Sequence, residues 1–315
     1  MKYALVLGMA AFAAAPFAVN AASVIDNGTI QLGVDDLGQL NIFDGSGGAP
    51  IGLRDLRTGF ESTSPGCLCE GWGAAVAETG VFGYANNDSG IVNVTGVSFA
   101  STASTATSVA NVGTSLQVTH AFAPSESDDL YRVTVSITNT SGADITDLRY
   151  TRVMDWDIEP TPFSEYVTIG GTAAATAVLS SNTNGFGTGN PLTPDADMGD
   201  FVDAGATDHG AQFNFGFGEL LMDETFTFDI YYGASLSESA AFDALNAVGA
   251  EVYSFGQSND NIDGSTPGRS TFIFGFSGVG GVVVPPSVIP VPASALLLIG
   301  AIGMLGGLRA RRKAA

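Results

Sequence analysis

Tyr131-Arg132-Val133-Thr134-Val135-Ser136-Ile137-Thr138-Asn139 alternates apolar and polar side chains as far as Thr138. That period of two belongs to a half-buried β-strand: Tyr131, Val133, Val135 and Ile137 face one side, and Arg132, Thr134, Ser136 and Thr138 the other. Thr140-Ser141-Gly142-Ala143-Asp144 turns the chain, and Ile145 to Ile158 returns it with Leu148, Tyr150, Met154, Trp156 and Ile158 on one face. Outward from this pair, turn residues recur every 8–12 positions among the 41 glycines of the chain, the pattern of a sandwich or barrel. Further strands are predicted over Thr29–Val34, Gln39–Phe43, Ile91–Phe99, Ser115–Phe122, Tyr166–Ile169, Gln212–Phe217, Thr225–Tyr232 and Ser270–Phe276. The Ser/Thr/Ala/Val run from Val97 to Thr114 reads as polar strands with a loop. One helix is expected, opened by a Ser235-Leu236-Ser237-Glu238 capping box and carrying Ala241, Phe242, Leu245 and Val248 as an apolar stripe before Gly249. It is expected to pack against an edge or end of the sheets. The fold class is therefore all-β: one sandwich-like antiparallel domain over residues 22–287 with one short helix.

The two ends read as addresses. Met1 to about Ala21 has a positive start at Lys2, an apolar stretch from Tyr3 to Phe17, and small residues in Val19-Asn20-Ala21, with Ala22 as an alternative end. Those are the three parts of a secretory signal peptide, placing residues 1–21 with the secretion machinery and signal peptidase. After Pro285-Pro286, residues 288–308 carry no charge and lead into Arg309, Arg311, Arg312 and Lys313. A transmembrane helix over about 290–308 is just long enough to cross a bilayer, with the basic end cytoplasmic.

Ile289-Pro290-Val291-Pro292-Ala293, the apolar span and the Arg-rich end together resemble a PEP-CTERM sorting tail of the VPLPA-CTERM variant, over residues 288–315. Ile stands for the first Val and Val for the Leu, and the acidic residue of the Pro-Glu-Pro form is absent. The resemblance implies recognition by an exosortase, transient residence in the inner membrane, and delivery to the cell surface or exopolysaccharide matrix of a Gram-negative bacterium.

Charge narrows the partners. Six arginines (Arg54, Arg57, Arg132, Arg149, Arg152 and Arg269) stand against all 32 acids between the two ends, leaving −26 on the central region. Such a surface repels nucleic acid and anionic lipid and attracts cations. Enzyme chemistries find little here. There are two histidines, no G-x-S-x-G elbow, no phosphate loop and no lysine in the central region.

Three local features could still carry chemistry. Asp155, Asp157 and Glu159 alternate with Trp156 and Ile158 and would share a face about 7 Å apart on a regular strand. Such a row suits a Ca²⁺ site built from hard oxygens or a carboxylate pair for glycoside hydrolysis; the plain alternative is a strand end with solvated acids. Arg149 is close by, while Arg152 points to the opposite face. Acids also crowd at Asp195, Asp197, Asp200, Asp203 and Asp208, and Asn259 to Gly264 matches the start of a Ca²⁺ loop but reads better as a turn. Cys67 and Cys69, the only cysteines, make a disulfide candidate in an oxidising compartment. The expected function is that of an exported, non-enzymatic surface protein. The alternative is a glycan-active enzyme or a carbohydrate-binding module using exposed Trp72, Trp156 or tyrosines, with extracellular polysaccharide as partner.

Overall fold

The structure is a computed structural model that describes residues 22–42, 50–67 and 69–287. The leader, the sorting motif with its basic end, and the span over about 290–308 lie outside the described residues. No helix among the described residues is long and apolar enough to cross a membrane.

The chain runs β1 (Ala22–Asp26), β2 (Ile30–Asp35), β3 (Leu53–Asp55), β4 (Glu70–Val76), β5 (Val81–Asn86), β6 (Gly90–Val92), β7 (Val94–Ser101), β8 (Ala106–Val112), β9 (Leu116–Pro124), β10 (Leu130–Asn139) and β11 (Ile145–Trp156). It continues through β12 (Glu165–Gly170), β13 (Val178–Asn182), β14 (Phe201–Thr207), β15 (His209–Leu220), β16 (Thr225–Ser235), α1 (Glu238–Ala247), β17 (Val252–Ser258) and β18 (Thr271–Ser277). These strands form an antiparallel sandwich. A nine-stranded sheet, ordered β14-β12-β17-β18-β16-β10-β9-β8-β7, faces a six-stranded sheet, ordered β13-β15-β11-β4-β5-β6, and β1-β2-β3 make a small third sheet.

The strand that opened the reading is β10, with Tyr131, Val133, Val135 and Ile137 wholly buried. Its neighbour in sequence, β11, does not pair with it. β10 is hydrogen-bonded to β9 and β16, whereas β11 lies between β15 and β4. The turn at Thr140–Asp144 therefore carries the chain from one sheet to the other. Both strands alternate, and each aims its apolar face at the space between the sheets. Rings close that space: Tyr150 of β11 meets Phe228 of β16 edge-on at 5.1 Å, and Phe213 and Phe215 of β15 each sit 4.9 Å from Phe276 of β18. Ile30, Leu32 and Leu53 of the small sheet join the same core. Burying rings of this size contributes roughly 2–3 kcal/mol apiece.

Three expectations are corrected. Of the strand expected over Gln39–Phe43, the described residues 39–42 form none; Leu40 and Ile42 make only isolated bridges to Val34 and Ile51, because the chain there bends inward to meet buried side chains. The helix is capped by Ser237, whose hydroxyl accepts from the Ala240 amide at 3.2 Å, since Ser235 is still in β16 and donates to Asp129. The helix also covers a sheet face rather than an edge or end. Ala241, Ala244 and Leu245 pack on Tyr231, Phe255 and Ile273 of the nine-stranded sheet's outer side. Val284 joins that cluster and accepts from the Asn246 amide at 2.8 Å, so the segment leading to the tail is docked along the helix.

Candidate metal centre

β11 ends at Trp156, and around that end three loops converge. The Asp155 amide donates to the Cys69 carbonyl and the Asp157 amide to the Ser62 carbonyl, both at 2.7 Å, which holds residues 62–69 against the strand end. Asp208 occupies the single position between β14 and β15, and Glu165 opens β12 in the facing sheet. Carboxylate oxygens of Asp155, Asp157 and Asp208 lie within 4.8 Å of one another. Asp155 is 1% exposed and Asp157 and Glu165 are 0% exposed, while Asp208 reaches solvent.

What distinguishes the cluster is what is missing from it. Among the described residues, nine buried side-chain polar atoms lack a hydrogen-bond partner, and five belong to Asp155 (Oδ1), Asp157 (both oxygens) and Glu165 (both oxygens). Buried carboxylates are ordinarily paired or hydrogen-bonded. The amides of Gly66 near Asp157, and of Ser164 and His209 near Glu165, soften the site electrostatically without making hydrogen bonds of ordinary geometry. Burial, then the neighbouring Asp157, Asp208 and Glu165, pushes Asp155 up to about 8. Burial, then Asp208 and Glu61, pushes Asp157 up to about 7, although contact with Asp155 and the Gly66 amide draws it down. Glu165 is pushed up to about 8, mainly by burial.

The backbone around these acids is drawn in tightly. A Cβ on Gly66 would collide with the Asp157 carboxylate, and one on Gly185 with that of Asp155. Only glycine permits this approach, so the loops at 62–67 and 183–187 close over the acids as a fitted cradle.

Of the predicted row, Asp155 and Asp157 are brought together and Glu159 is not. The strand stops before it, the alternation lapses, and Glu159 instead accepts from the Glu61 amide at 3.0 Å. Glu61 is spent likewise on the amides of Gly52, Thr63 and Ser64. Asp208, about 50 positions downstream, takes the place of Glu159, and Glu165 of the facing sheet acts on Asp155 only through its charge; neither has a local sequence signature. The other crowded acids serve the backbone. Asp197 accepts from Ser181, Asp200 from Thr172, and Asp203 from the Thr168 hydroxyl. Asn259 to Gly264 forms a turn held by the Asp260–Arg269 pair. Cys67 and Cys69 are joined in a disulfide.

Both tryptophans are interior. Trp72 and Trp156 are 0% exposed, with indole N–H groups donating to the Leu37 carbonyl at 2.8 Å and the Ser254 hydroxyl at 3.2 Å. The expected sugar platform therefore loses its two tryptophans, whose rings fill the core.

No known protein family matches the chain, and no curated protein sequence matches it. Among solved structures, a galactose mutarotase related enzyme from Lactobacillus acidophilus is similar at 9% identity, over 85% of this chain and 93% of that one, with a TM-score of 0.36.

Proposed function

We propose that this chain is an exported, non-enzymatic β-sandwich of the cell envelope or exopolysaccharide matrix whose two sheets are clamped at one end by a bound Ca²⁺. The observation that carries the clamp is the set of three unpartnered oxygens on buried Asp155 and Asp157, grouped with a carboxylate oxygen of Asp208. Asp155 and Asp157 belong to the six-stranded sheet's side, and Asp208 joins β14 of the nine-stranded sheet to β15 of the six-stranded one, so one cation among their oxygens ties the strand ends of both sheets together. All-oxygen, carboxylate-rich donor sets suit a hard cation that accepts irregular geometry, which favours Ca²⁺ over transition metals. Exposed Asp208 supplies the route in from solvent.

Burial supports the non-enzymatic reading. A carboxylate pair that hydrolyses glycosides must flank a sugar ring, and Asp157 and Asp155 lie beneath the loops that contain Gly66 and Gly185. The address comes from the ends of the chain. The leader delivers it to signal peptidase, and the Ile289–Ala293 motif with Arg309, Arg311, Arg312 and Lys313 delivers it through the inner membrane to an exosortase.

Fractionation of the producing cells checks the address. The chain is expected at the outer surface or in the matrix, digestible by protease added to intact cells. Substituting Pro290 and Pro292 by alanine is expected to hold it in the inner membrane. Recovery of the unaltered chain in the cytoplasm would contradict the reading.

A further inference from the structure

Asp155 belongs to two clusters. Besides its oxygen set with Asp157 and Asp208, a carboxylate oxygen of Asp155 and the sulfurs of Cys67 and Cys69 lie within 4.8 Å of one another, with Cys67 Sγ 4.0 Å from Asp155 Oδ2. The hydrogen bond from the Asp155 amide to the Cys69 carbonyl fixes this juxtaposition through the backbone, whatever the state of the sulfurs.

We propose that the Cys67–Cys69 disulfide is the oxidised form of a second metal site, in which the two reduced sulfurs and Asp155 bind a thiophilic divalent ion such as Zn²⁺. Cys67 is exposed and Cys69 is buried, so an incoming thiolate reaches the Cys67 sulfur and Cys69 is the leaving group. A dithiol reductant supplies the two electrons and two protons, its own sulfurs joining as a cyclic disulfide as the Cys67–Cys69 bond breaks. The metal then displaces one proton from each thiol, so at least two protons leave for each ion bound. Sulfur and carboxylate donors in a three-ligand set leave a fourth position for water or Asp208, the arrangement of an open Zn²⁺ site.

The reduced form is accessible because the disulfide closes a loop with only one residue between its cysteines. In the chain-entropy account so small a ring contributes little to stability, and the surrounding backbone bonds do not involve the sulfurs. Since Asp155 is shared, Ca²⁺ and the thiophilic ion exclude one another, and the redox state of two sulfurs selects which one the centre holds. The inference shares Asp155 with the Ca²⁺ clamp but does not rest on it, because the sulfurs play no part in holding Ca²⁺.

Cobalt(II) is the probe. The full chain, reduced by a dithiol under anaerobic conditions and shown by circular dichroism to keep its β spectrum, is titrated with Co²⁺ after the reductant is removed. One ion per chain is expected, with sulfur-to-cobalt charge-transfer absorption, tetrahedral visible bands and at least two protons released. The oxidised chain is expected to show no charge-transfer band, and Cys67→Ser/Cys69→Ser none in either state. Asp155→Asn is expected to weaken Co²⁺ binding at least about tenfold. A folded, reduced chain without the charge-transfer band, or a band that survives in the double serine variant, would overturn the site. Ca²⁺ binding by the oxidised chain is read separately, so failure of either site leaves the other measurable.

Discussion

Replacing Arg152 by methionine is expected to lower stability by about 3–5 kcal/mol, the cost of leaving a buried charge without its partner. Arg152 stands on the apolar face of β11, and both it and Glu70 of β4 are fully buried. Its Nε donates to Glu70 Oε1, and its Nη2 to the Gly38 carbonyl at 2.9 Å. Glu70 also accepts from the Tyr232 hydroxyl and, through Oε2, from the Leu40 amide, each at 2.9 Å. Burial opposes the guanidinium charge, but the Glu70 carboxylate and the oxygens of Tyr232 and Tyr150 hold it protonated. This network satisfies the inward bend between β2 and β3, whose backbone would otherwise enter the core unpaired. Glu70→Gln is expected to cost a similar amount. Glu70→Gln/Arg152→Met is expected to recover part of the loss, since it removes both charges while a side-chain carbonyl stays to accept from the Leu40 amide. Urea unfolding of the four proteins gives the coupling; single substitutions costing under about 1 kcal/mol would refute it.

Chelating Ca²⁺ is expected to lower the melting temperature by about 5–10 °C at pH 8 and by little at pH 5. The acid centre determines the sign. Asp155, Asp157 and Glu165 stand at about 8, 7 and 8 in the folded chain, against ordinary values of 3.8, 3.8 and 4.5. Between those limits the cation-free folded chain holds more protons than the unfolded one. Their contribution is therefore favourable below about pH 4 and is lost as pH rises towards 8. Ca²⁺ takes the place of those protons, so its effect grows over the same window. At a hundred times its dissociation constant it adds about 2.7 kcal/mol, and each kcal/mol moves the midpoint by about 2–4 °C in a domain of this size. Calorimetry at the two pH values reads the difference; a midpoint at pH 8 that ignores chelator would contradict it.

Much of the β architecture was legible in the sequence, and two enclosed strands that were not share a cause. β10 alternates because one side packs in the core and the other stays partly open, and the first half of β11 does the same before it is enclosed on both sides. β4 is buried along its whole length, and Glu70-Gly71-Trp72-Gly73-Ala74-Ala75-Val76 consequently shows no alternation to read. β17, nearly as enclosed, was missed for the same reason. That β10 and β11 lie in different sheets was equally hidden, because a turn that closes a hairpin and one that crosses a sandwich use the same residues. At the acid centre, spacing found Asp155 and Asp157 because both follow the strand's period. It failed at Glu159, past the strand's end, and could not find Glu165 or Asp208, which tertiary pairing alone brings near. Arg152 was visible as a charge on an apolar face, but its partner lay 82 positions away in a strand without a pattern.

The carboxylates at the end of β11 are expected to hold a divalent cation, which isothermal titration of Ca²⁺ into the oxidised, chelator-stripped full chain at pH 8 measures. One ion per chain is expected, with affinity lost by at least about tenfold in Asp157→Asn and unchanged in Glu159→Gln. Absence of binding at millimolar Ca²⁺ by the folded chain, or binding that Asp157→Asn leaves intact, would contradict it.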